Sequence, residues 1–117
     1  MEKIFERVHK AKTLQHHIRY HPAAHFTIEK AEYLFGMSFC GDYQDFLKKF
    51  GFLQINQRRI QGLSQKTPSI YDEDSFLWAT RKFREQYIHD PHLSVLENCN
   101  DQWYFLLNHA NGKLYGF

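Results

Sequence analysis

Apolar residues recur at a helical spacing of three and four in the N-terminal part of the chain. The first such stretch runs from Glu2 to about Tyr20, and Pro22 ends it or lies just beyond it. The second follows Thr27, which stands where an N-cap would stand, and Gly36 supplies a C-terminal stop. The pattern therefore predicts two helices in the first third of the chain.

Two further helices are predicted from the same periodicity. A third can open at Gly41 or Asp42, and Gly51 closes it. A fourth can be capped by Asp74 or Ser75, because both side chains can accept a hydrogen bond from a free N–H of the first turn.

The remaining apolar segments have the character of β-strands. Apolar residues between Phe52 and Ile60 sit among Gln, Asn and Arg, which suits one or two strands. A short strand over residues 93–96 is followed by an apolar run at 103–107. Asn111-Gly112 then precedes another apolar segment, and this dipeptide predicts a β-hairpin with a type I′ turn.

Helices followed by strands favour an α+β fold over a wound α/β fold. We expect an antiparallel sheet that ends in a C-terminal hairpin, with helices packed against it. The length of 117 residues is that of one domain, and no repeat or flexible linker divides it. Residues 1–117 are assigned to a single domain, with an N-terminal helix and connector over 1–26 and a core over 27–117.

Composition narrows the function classes. Aromatic residues make up 17% of the chain, so most should fill the core while some could anchor a partner. A net charge of +2 without a clustered basic face argues against direct nucleic-acid binding. Charged residues interrupt the apolar positions after Met1 and no long apolar stretch occurs, so we expect no secretory leader, no membrane span and a cytoplasmic protein with Cys40 and Cys99 reduced.

The histidines are the strongest hint of a metal site. His17, His21 and His25 are spaced by four, and His16 adds a neighbour. Pro22 interrupts any helix between them, and no carboxylate or thiolate accompanies the set, so exposed surface histidines are the favoured interpretation. No phosphate-binding loop or nucleophile motif is present. We therefore predict no catalytic residue, no metal site and no cofactor, although a Cys–His pair formed in space stays open.

Charged residues cluster at two places. Asp72, Glu73 and Asp74 end a polar loop over residues 62–74, where carboxylates favour the N-terminus of the next helix. A charged recognition patch on that loop is the alternative. The arginine pair at 58–59 is interpreted as a solubilising turn or sheet edge rather than a phosphate contact.

One segment carries a family resemblance. The segment from Glu32 to Leu47, EYLFGMSFCGDYQDFL, resembles the signature E-x-x-L-G-x-x-L-P-x-x-Y-x-x-F-L of the SUKH superfamily. Five positions match the signature directly: Glu32, Gly36, Tyr43, Phe46 and Leu47. Phe35 and Phe39 replace leucines, and Cys40 stands where proline is usual. Further similarities extend the resemblance over about residues 27–117.

The resemblance implies function by binding. Bacterial SUKH members are mostly immunity proteins, encoded beside polymorphic toxins that are often nucleases, and they block the toxin domain. The family has no catalytic residues to carry over. The sequence is thus expected to encode an immunity protein whose partner is a cognate toxin domain. A non-toxin interaction module that regulates cell-wall synthesis or another pathway is the alternative, and a small metal-binding protein or enzyme is a third class.

Candidate contact residues follow from this expectation. A basic toxin groove would favour an acidic patch, and exposed aromatic side chains are common anchors at interfaces. The candidates lie in the loop before the fourth helix, on that helix and on the last hairpin: Tyr71, Asp72, Glu73, Asp74, Trp78, Trp103 and Tyr115.

Overall fold

The structure, a computed structural model, describes residues 18–56, 58–99 and 103–117. The described residues form three helices and six strands. In chain order these are β1 (Ile18–Tyr20), α1 (His25–Phe35), α2 (Gly41–Lys49), β2 (Leu53–Ile55), β3 (Arg58–Ile60), α3 (Phe76–Gln86), β4 (Leu93–Cys99), β5 (Trp103–Asn108) and β6 (Leu114–Gly116). The predicted α+β fold class is confirmed.

The strands form two antiparallel sheets of three, in the orders β1-β2-β3 and β4-β5-β6. Leu53 of β2 lies between Tyr20 of β1 and Ile60 of β3. Just after β3, the backbone N–H of Gln61 donates to the carbonyl of Leu96 in β4 at 2.7 Å. The two sheets therefore meet along β3 and β4.

The predicted first helix is wrong at its C-terminal end. Ile18–Tyr20 form the edge strand β1, which pairs with β2, while the rest of that predicted helix lies outside the described residues. The strand gains backbone hydrogen bonds from β2, and the ring of Tyr20 packs edge-on against Phe50 with 5.8 Å between centroids. Pairing with a distant strand thus overrides the local helical spacing.

The predicted N-cap of α1 is also wrong. The helix begins at His25 with Ala24 as its N-cap, so Thr27 lies in the first turn. Thr27 is buried there, and its hydroxyl donates to the carbonyl of Lys66 at 2.8 Å. A contact across 39 residues uses the hydroxyl that a local cap would have used.

Three other predicted boundaries are confirmed. Gly36 ends α1 in the left-handed conformation, with φ of 96°. The third predicted helix does begin at Gly41, as α2. The hydroxyl of Ser75 accepts the backbone N–H of Leu77 at 3.0 Å and caps α3.

Gly51 and Gly62 mark the closest approach of two backbone segments. A Cβ on Gly62 would lie 1.7 Å from the carbonyl oxygen of Gly51, and a Cβ on Gly51 would lie 1.8 Å from that of His21. The N–H of Leu63 donates to Gly51 at 2.8 Å across this contact. Only glycine lets the chain after α2 and the chain after β3 pack this tightly.

The C-terminal hairpin between β5 and β6 is confirmed, but its turn is not the predicted type I′. Gly112 has a positive φ of 72°, whereas Asn111 does not, and type I′ needs both. The carbonyl of Asn108 accepts the N–H of Gly112 at 2.7 Å. The N–H of Asn108 donates to the carbonyl of Lys113 at 3.0 Å. The connection is thus a longer loop, which Asn111 braces by accepting the N–H of Lys113 through its side chain.

The core is dominated by aromatic packing. The ring centroids of Phe39 and Tyr43 lie 5.5 Å apart, and each lies 5.3 to 5.5 Å from those of Phe76 and His109. A smaller cluster packs α3 against the second sheet through three buried side chains, Phe83, Val95 and Leu106. These two clusters bury one face of α3, and the opposite face of the helix remains accessible to solvent.

Candidate docking surface

The segment from Glu32 to Leu47 builds the core rather than a reaction site. The carboxylate of Glu32 accepts the backbone N–H of Phe39 at 2.7 Å and the side-chain amide of Gln44 at 3.1 Å. It thereby fixes the turn between α1 and α2. The buried hydroxyl of Tyr43 donates to the carbonyl of Gln61 at 2.8 Å. These side chains serve the fold, so contact residues must be sought among exposed side chains.

Asp72, one of the predicted contact residues, has a structural role in the loop before α3. One carboxylate oxygen accepts the N–H of Asp74 at 3.0 Å, and the other accepts the hydroxyl of Ser64 at 3.4 Å. The carbonyl of Asp72 accepts the N–H of Ser75 at 3.0 Å. Since both carboxylate oxygens serve the turn, Asp72 is a poor choice for a contact that must be free to bind.

The remaining candidates near α3 come together on one surface. The side chain of Tyr71 is 72% exposed, and the guanidinium of Arg81 lies over its ring at 5.2 Å. Trp78 precedes Arg81 by one helical turn, and the ammonium of Lys82 lies 5.8 Å from the Trp78 ring. Loop and helix thus present two aromatic rings, each beside a cation.

We call this set the α3 surface: Tyr71, Glu73, Asp74, Trp78, Arg81 and Lys82. Glu73 and Asp74 are exposed at the N-terminal end of α3, and the cations follow along the helix. The surface therefore carries both signs of charge rather than a uniformly acidic patch. Such a pattern favours an oriented encounter with a partner of complementary pattern.

The hairpin candidates lie apart from that set. Tyr115 lies on β6 and is 43% exposed, and its hydroxyl accepts the side-chain amide of Asn111 at 3.1 Å. In the register of the sheet, Tyr115 stands beside Leu106, one of the residues that pack against Phe83. Trp103 lies in β5, but its side chain is outside the described part of the structure.

A second exposed aromatic region, which sequence reasoning missed, lies at the end of α3. The Phe117 ring lies 5.1 Å from that of Phe83 and 5.2 Å from that of Tyr87. Tyr87 and Phe117 remain 50% and 44% exposed. The helical spacing of Phe83 and Tyr87 was the available signal, but it indicates a shared face and not how fully that face is covered.

A buried Ser–His pair lies under α2 but lacks the arrangement of a nucleophile and base. His109 Nε2 lies 2.8 Å from the hydroxyl of Ser94, and the backbone N–H of Cys40 donates to Nδ1 at 3.2 Å. Because Nδ1 is the acceptor, Nε2 carries the proton and donates it to Ser94. Burial, together with the charge of Arg84, lowers the pKa of His109 to about 4. The imidazole therefore cannot take the proton of Ser94 in this state.

The histidines near the start of the described chain do not form a cluster of metal ligands. His21 is exposed, and His25 forms an i,i+4 contact with Glu29 at 2.9 Å, while His16 and His17 lie outside the described residues. Within residues 18–56, 58–99 and 103–117, no three His, Cys, Asp or Glu side chains converge as metal ligands would. In the same ranges, no helix has the length and apolar character needed to cross a bilayer.

The arginine pair at 58–59 lies on β3, an outer strand of the first sheet, as the edge interpretation expects, and both side chains also make specific contacts. Arg58 contacts the buried carboxylate of Glu97 in β4 through Nε at 2.9 Å and Nη2 at 2.8 Å. Arg59 donates to the carbonyl of Asp74 at 2.7 Å and lies over the ring of Phe52 at 4.3 Å. Both side chains tie β3 to neighbouring elements.

Comparison with protein families gives one match that spans nearly all of the chain. A family model described as SUKH_5, SMI1-KNR4 cell-wall, matches residues 1–116. The predicted resemblance is thereby confirmed. No curated protein matches the chain.

Proposed function

Because this chain belongs to the SMI1-KNR4 (SUKH) family, we propose that it is an immunity protein that binds a cognate toxin domain. Domains of this family are generally immunity or interaction modules rather than enzymes. In this proposal the protein acts in the cytoplasm of the cell that makes the toxin. It neutralises the toxin by occupying its active site or substrate groove, and it performs no reaction of its own.

The observation that carries the proposal is the composition of the α3 surface. Residues that dominate binding energy at interfaces are enriched in Trp, Tyr and Arg. Tyr71, Trp78 and Arg81 supply one of each within two turns of one helix and its preceding loop. The Tyr71 ring is exposed and Trp78 is half-buried, so both are accessible to a partner, which supports a binding role.

The acidic end of the α3 surface would contribute specificity. A toxin that acts on nucleic acid carries a basic groove, and Glu73 and Asp74 could pair with it. Both are exposed, and neither serves the turn through its carboxylate as Asp72 does. A toxin of this class would be bound in the position that its substrate otherwise takes.

Co-purification with the product of the neighbouring gene tests the proposal. We expect a toxin-encoding neighbour whose product forms a stoichiometric complex with this chain. In calorimetry, Glu73→Lys with Asp74→Lys should weaken binding by about tenfold or more, because loss of complementary pairs and like-charge repulsion each cost on the order of 1 kcal/mol.

A matched charge reversal elsewhere serves as the control. Glu29 and Asp45 are exposed on α1 and α2, so Glu29→Lys with Asp45→Lys makes the same change in net charge away from the α3 surface. This variant should bind like the wild type. Equal effects of the two double variants would show that the α3 surface is not the toxin-binding site. A toxin that fails to bind the wild-type protein would contradict the proposed immunity function.

A second candidate is a non-toxin interaction module that regulates cell-wall synthesis or another pathway. The description of the matching family, SMI1-KNR4 cell-wall, favours it. Gene neighbourhood separates the two candidates, because an immunity protein is encoded beside its toxin. A chain without a toxin gene nearby, recovered with a wall-synthesis protein, would support the second.

A further inference from the structure

A cavity of about 310 Å³ lies between the C-terminal end of α1 and the inner flank of α3. Its lining includes four apolar side chains and two arginines, Leu34, Phe35, Ile70, Leu77, Arg81 and Arg84, together with three further polar residues, Thr80, Glu85 and His89. Its apolar side is the edge of the main core, since Phe35 and Leu77 belong to that core and Leu34 and Ile70 pack against it. Through Arg81 the cavity adjoins Tyr71 on the α3 surface. Both arginines are half-buried, so each guanidinium keeps part of its hydration while it lies beside apolar side chains.

Both guanidinium groups keep N–H donors that the described residues do not satisfy. Arg84 uses Nη2 to donate to the carbonyls of Pro91 at 3.1 Å and Leu93 at 3.2 Å, and its carbon Cζ lies 5.1 Å from the Phe35 ring centroid. The Nε atoms of Arg84 and Arg81 are buried and have no hydrogen-bond partner. Buried donors are rarely left in this state. The Nε of Arg59, outside the cavity, is also unpaired, so a ligand is inferred from the presence of both Arg81 and Arg84 in one cavity lining.

The carboxylates nearby do not neutralise the pair. Glu85 lines the cavity, but it lies 3.6 Å from the ammonium of Lys82. Asp90 attracts Arg84, yet its Oδ1 already accepts the backbone N–H of His92 at 2.9 Å. Burial lowers the pKa of Arg84, which is the direction expected of a cation that lacks a close partner.

We propose that this cavity is a binding site for a carboxylate carried on a small apolar body. The planar N–H fork of arginine matches the two oxygens of a carboxylate, and two such groups lie in one wall. The apolar walls would accept a ring or branched aliphatic group. The volume is at the lower end of the ~300–1,000 Å³ range of ligand pockets, which limits the body to about one ring. The site goes beyond the proposed function and does not depend on it.

Titration of the isotope-labelled protein with benzoate, followed by amide NMR, tests the site. We expect saturable shifts of the amides of Leu34, Ile70 and Arg81, which surround the cavity. Benzamide has the same ring and no charge, so it should bind about tenfold more weakly, the value expected for loss of a charge-assisted hydrogen bond of about 1.5 kcal/mol. Equal binding of the two probes, or shifts confined to other surfaces, would overturn the proposal.

Two variants with opposite expected signs sharpen the test. Arg81→Gln should weaken benzoate binding by about tenfold, because it removes one cation and its fork. Glu85→Gln should strengthen binding by several-fold, because it removes the negative charge in the cavity wall. Arg19→Gln removes an exposed cation from β1, outside the cavity lining, and should leave binding unchanged.

Arg84 is left intact in these variants because it also holds β4. Amide spectra report whether each variant is folded, and Arg81→Lys replaces Arg81→Gln if the latter does not fold. Lysine keeps the charge but not the fork, so an intermediate loss is expected. If the affinity for benzoate is the same in the Arg81 and Glu85 variants as in the wild type, the site does not lie in this cavity.

Discussion

His109 stays neutral in the folded protein because its surroundings oppose a second ring proton. The Cys40 N–H occupies Nδ1, and the Nε2 proton is given to Ser94. The ring is buried among Phe35, Phe39 and Tyr43, so a charged imidazolium would lose its hydration. Protonation in the native state would therefore break a hydrogen bond and leave a charge in the core.

The stability of the protein is expected to fall as pH drops from about 6.5 to about 4. The unfolded chain binds a proton at His109 near pH 6.5, whereas the folded chain has a pKa of about 4 there. Between these values the unfolded state binds more protons, so acid favours it by roughly 2–3 kcal/mol in total. Urea denaturation at several pH values measures this slope.

His109→Gln provides the comparison for that slope. Glutamine does not titrate, so the variant should be less stable at pH 7 but should lose less stability between pH 6.5 and pH 4. Parallel slopes for the variant and the wild type would show that His109 is not the group responsible.

Sequence reasoning at this scale identified residue types better than partners. Asp72 was correctly placed in a loop before a helix, but its carboxylate is used by Ser64 and Asp74. Thr27 was predicted to be an N-cap, but it lies inside α1 and its hydroxyl donates to the carbonyl of Lys66. The local sequence pattern does not show which distant residue a side chain will contact in the fold.

At the scale of elements, the position of α3 explains two of its polar residues. Thr80 and Arg84 are four residues apart, so they lie on the same face of the helix, along the side of β4 that faces away from β5. The hydroxyl of Thr80 accepts the N–H of Val95 at 3.0 Å, and Arg84 donates to the carbonyl of Leu93. The helix thereby satisfies backbone groups that the sheet leaves unpaired.

Thr80→Val should destabilise the protein by about 1–3 kcal/mol, because a buried N–H of Val95 loses its acceptor while the shape of the side chain is kept. Thr80→Ser keeps the hydroxyl and should cost less. Urea denaturation gives both values. A smaller loss for valine than for serine would show that packing of the Thr80 methyl group matters more than the hydrogen bond.

Elements with local punctuation were predictable, and those defined by distant pairing were not. Gly36 and Ser75 set helix ends through their own backbone conformation and side chain, which the sequence displays. Strand β1 exists because β2 offers it hydrogen bonds from 35 or so residues away, and no local signal announces this. The prediction of a type I′ turn at Asn111 was wrong for a related reason. The connection is a longer loop over residues 109–113, and the two-residue signal does not show its length.

At the scale of the whole molecule, the surfaces on which the candidate residues lie could be predicted only in part. The sequence placed Tyr71 and Trp78 near the start of one helix, and the structure puts both on one surface with Arg81 and Lys82. It gave no means of finding the exposed region around Phe117, because that region depends on how β6 meets the end of α3. Surfaces assembled from separate elements require the fold.

The junction of the two sheets is also a property of the whole molecule, and Arg58 and Glu97 make it testable. The Glu97 carboxylate is buried in β4, and Arg58 reaches it from β3 in the other sheet. Arg58→Met would leave a buried negative charge without its partner, which should cost roughly 1–3 kcal/mol given that the arginine is itself partly solvated. Glu97→Gln removes the charge and should cost less.

The double variant decides whether the pair acts as a unit. If Arg58 serves chiefly to compensate Glu97, the loss in Arg58→Met with Glu97→Gln should fall short of the sum of the single losses by more than about 0.5 kcal/mol, the limit within which independent sites add. Urea denaturation of the four proteins measures this coupling. Additive losses would mean that the sheets are held together by the Gln61–Leu96 hydrogen bond and the shared core rather than by this ion pair.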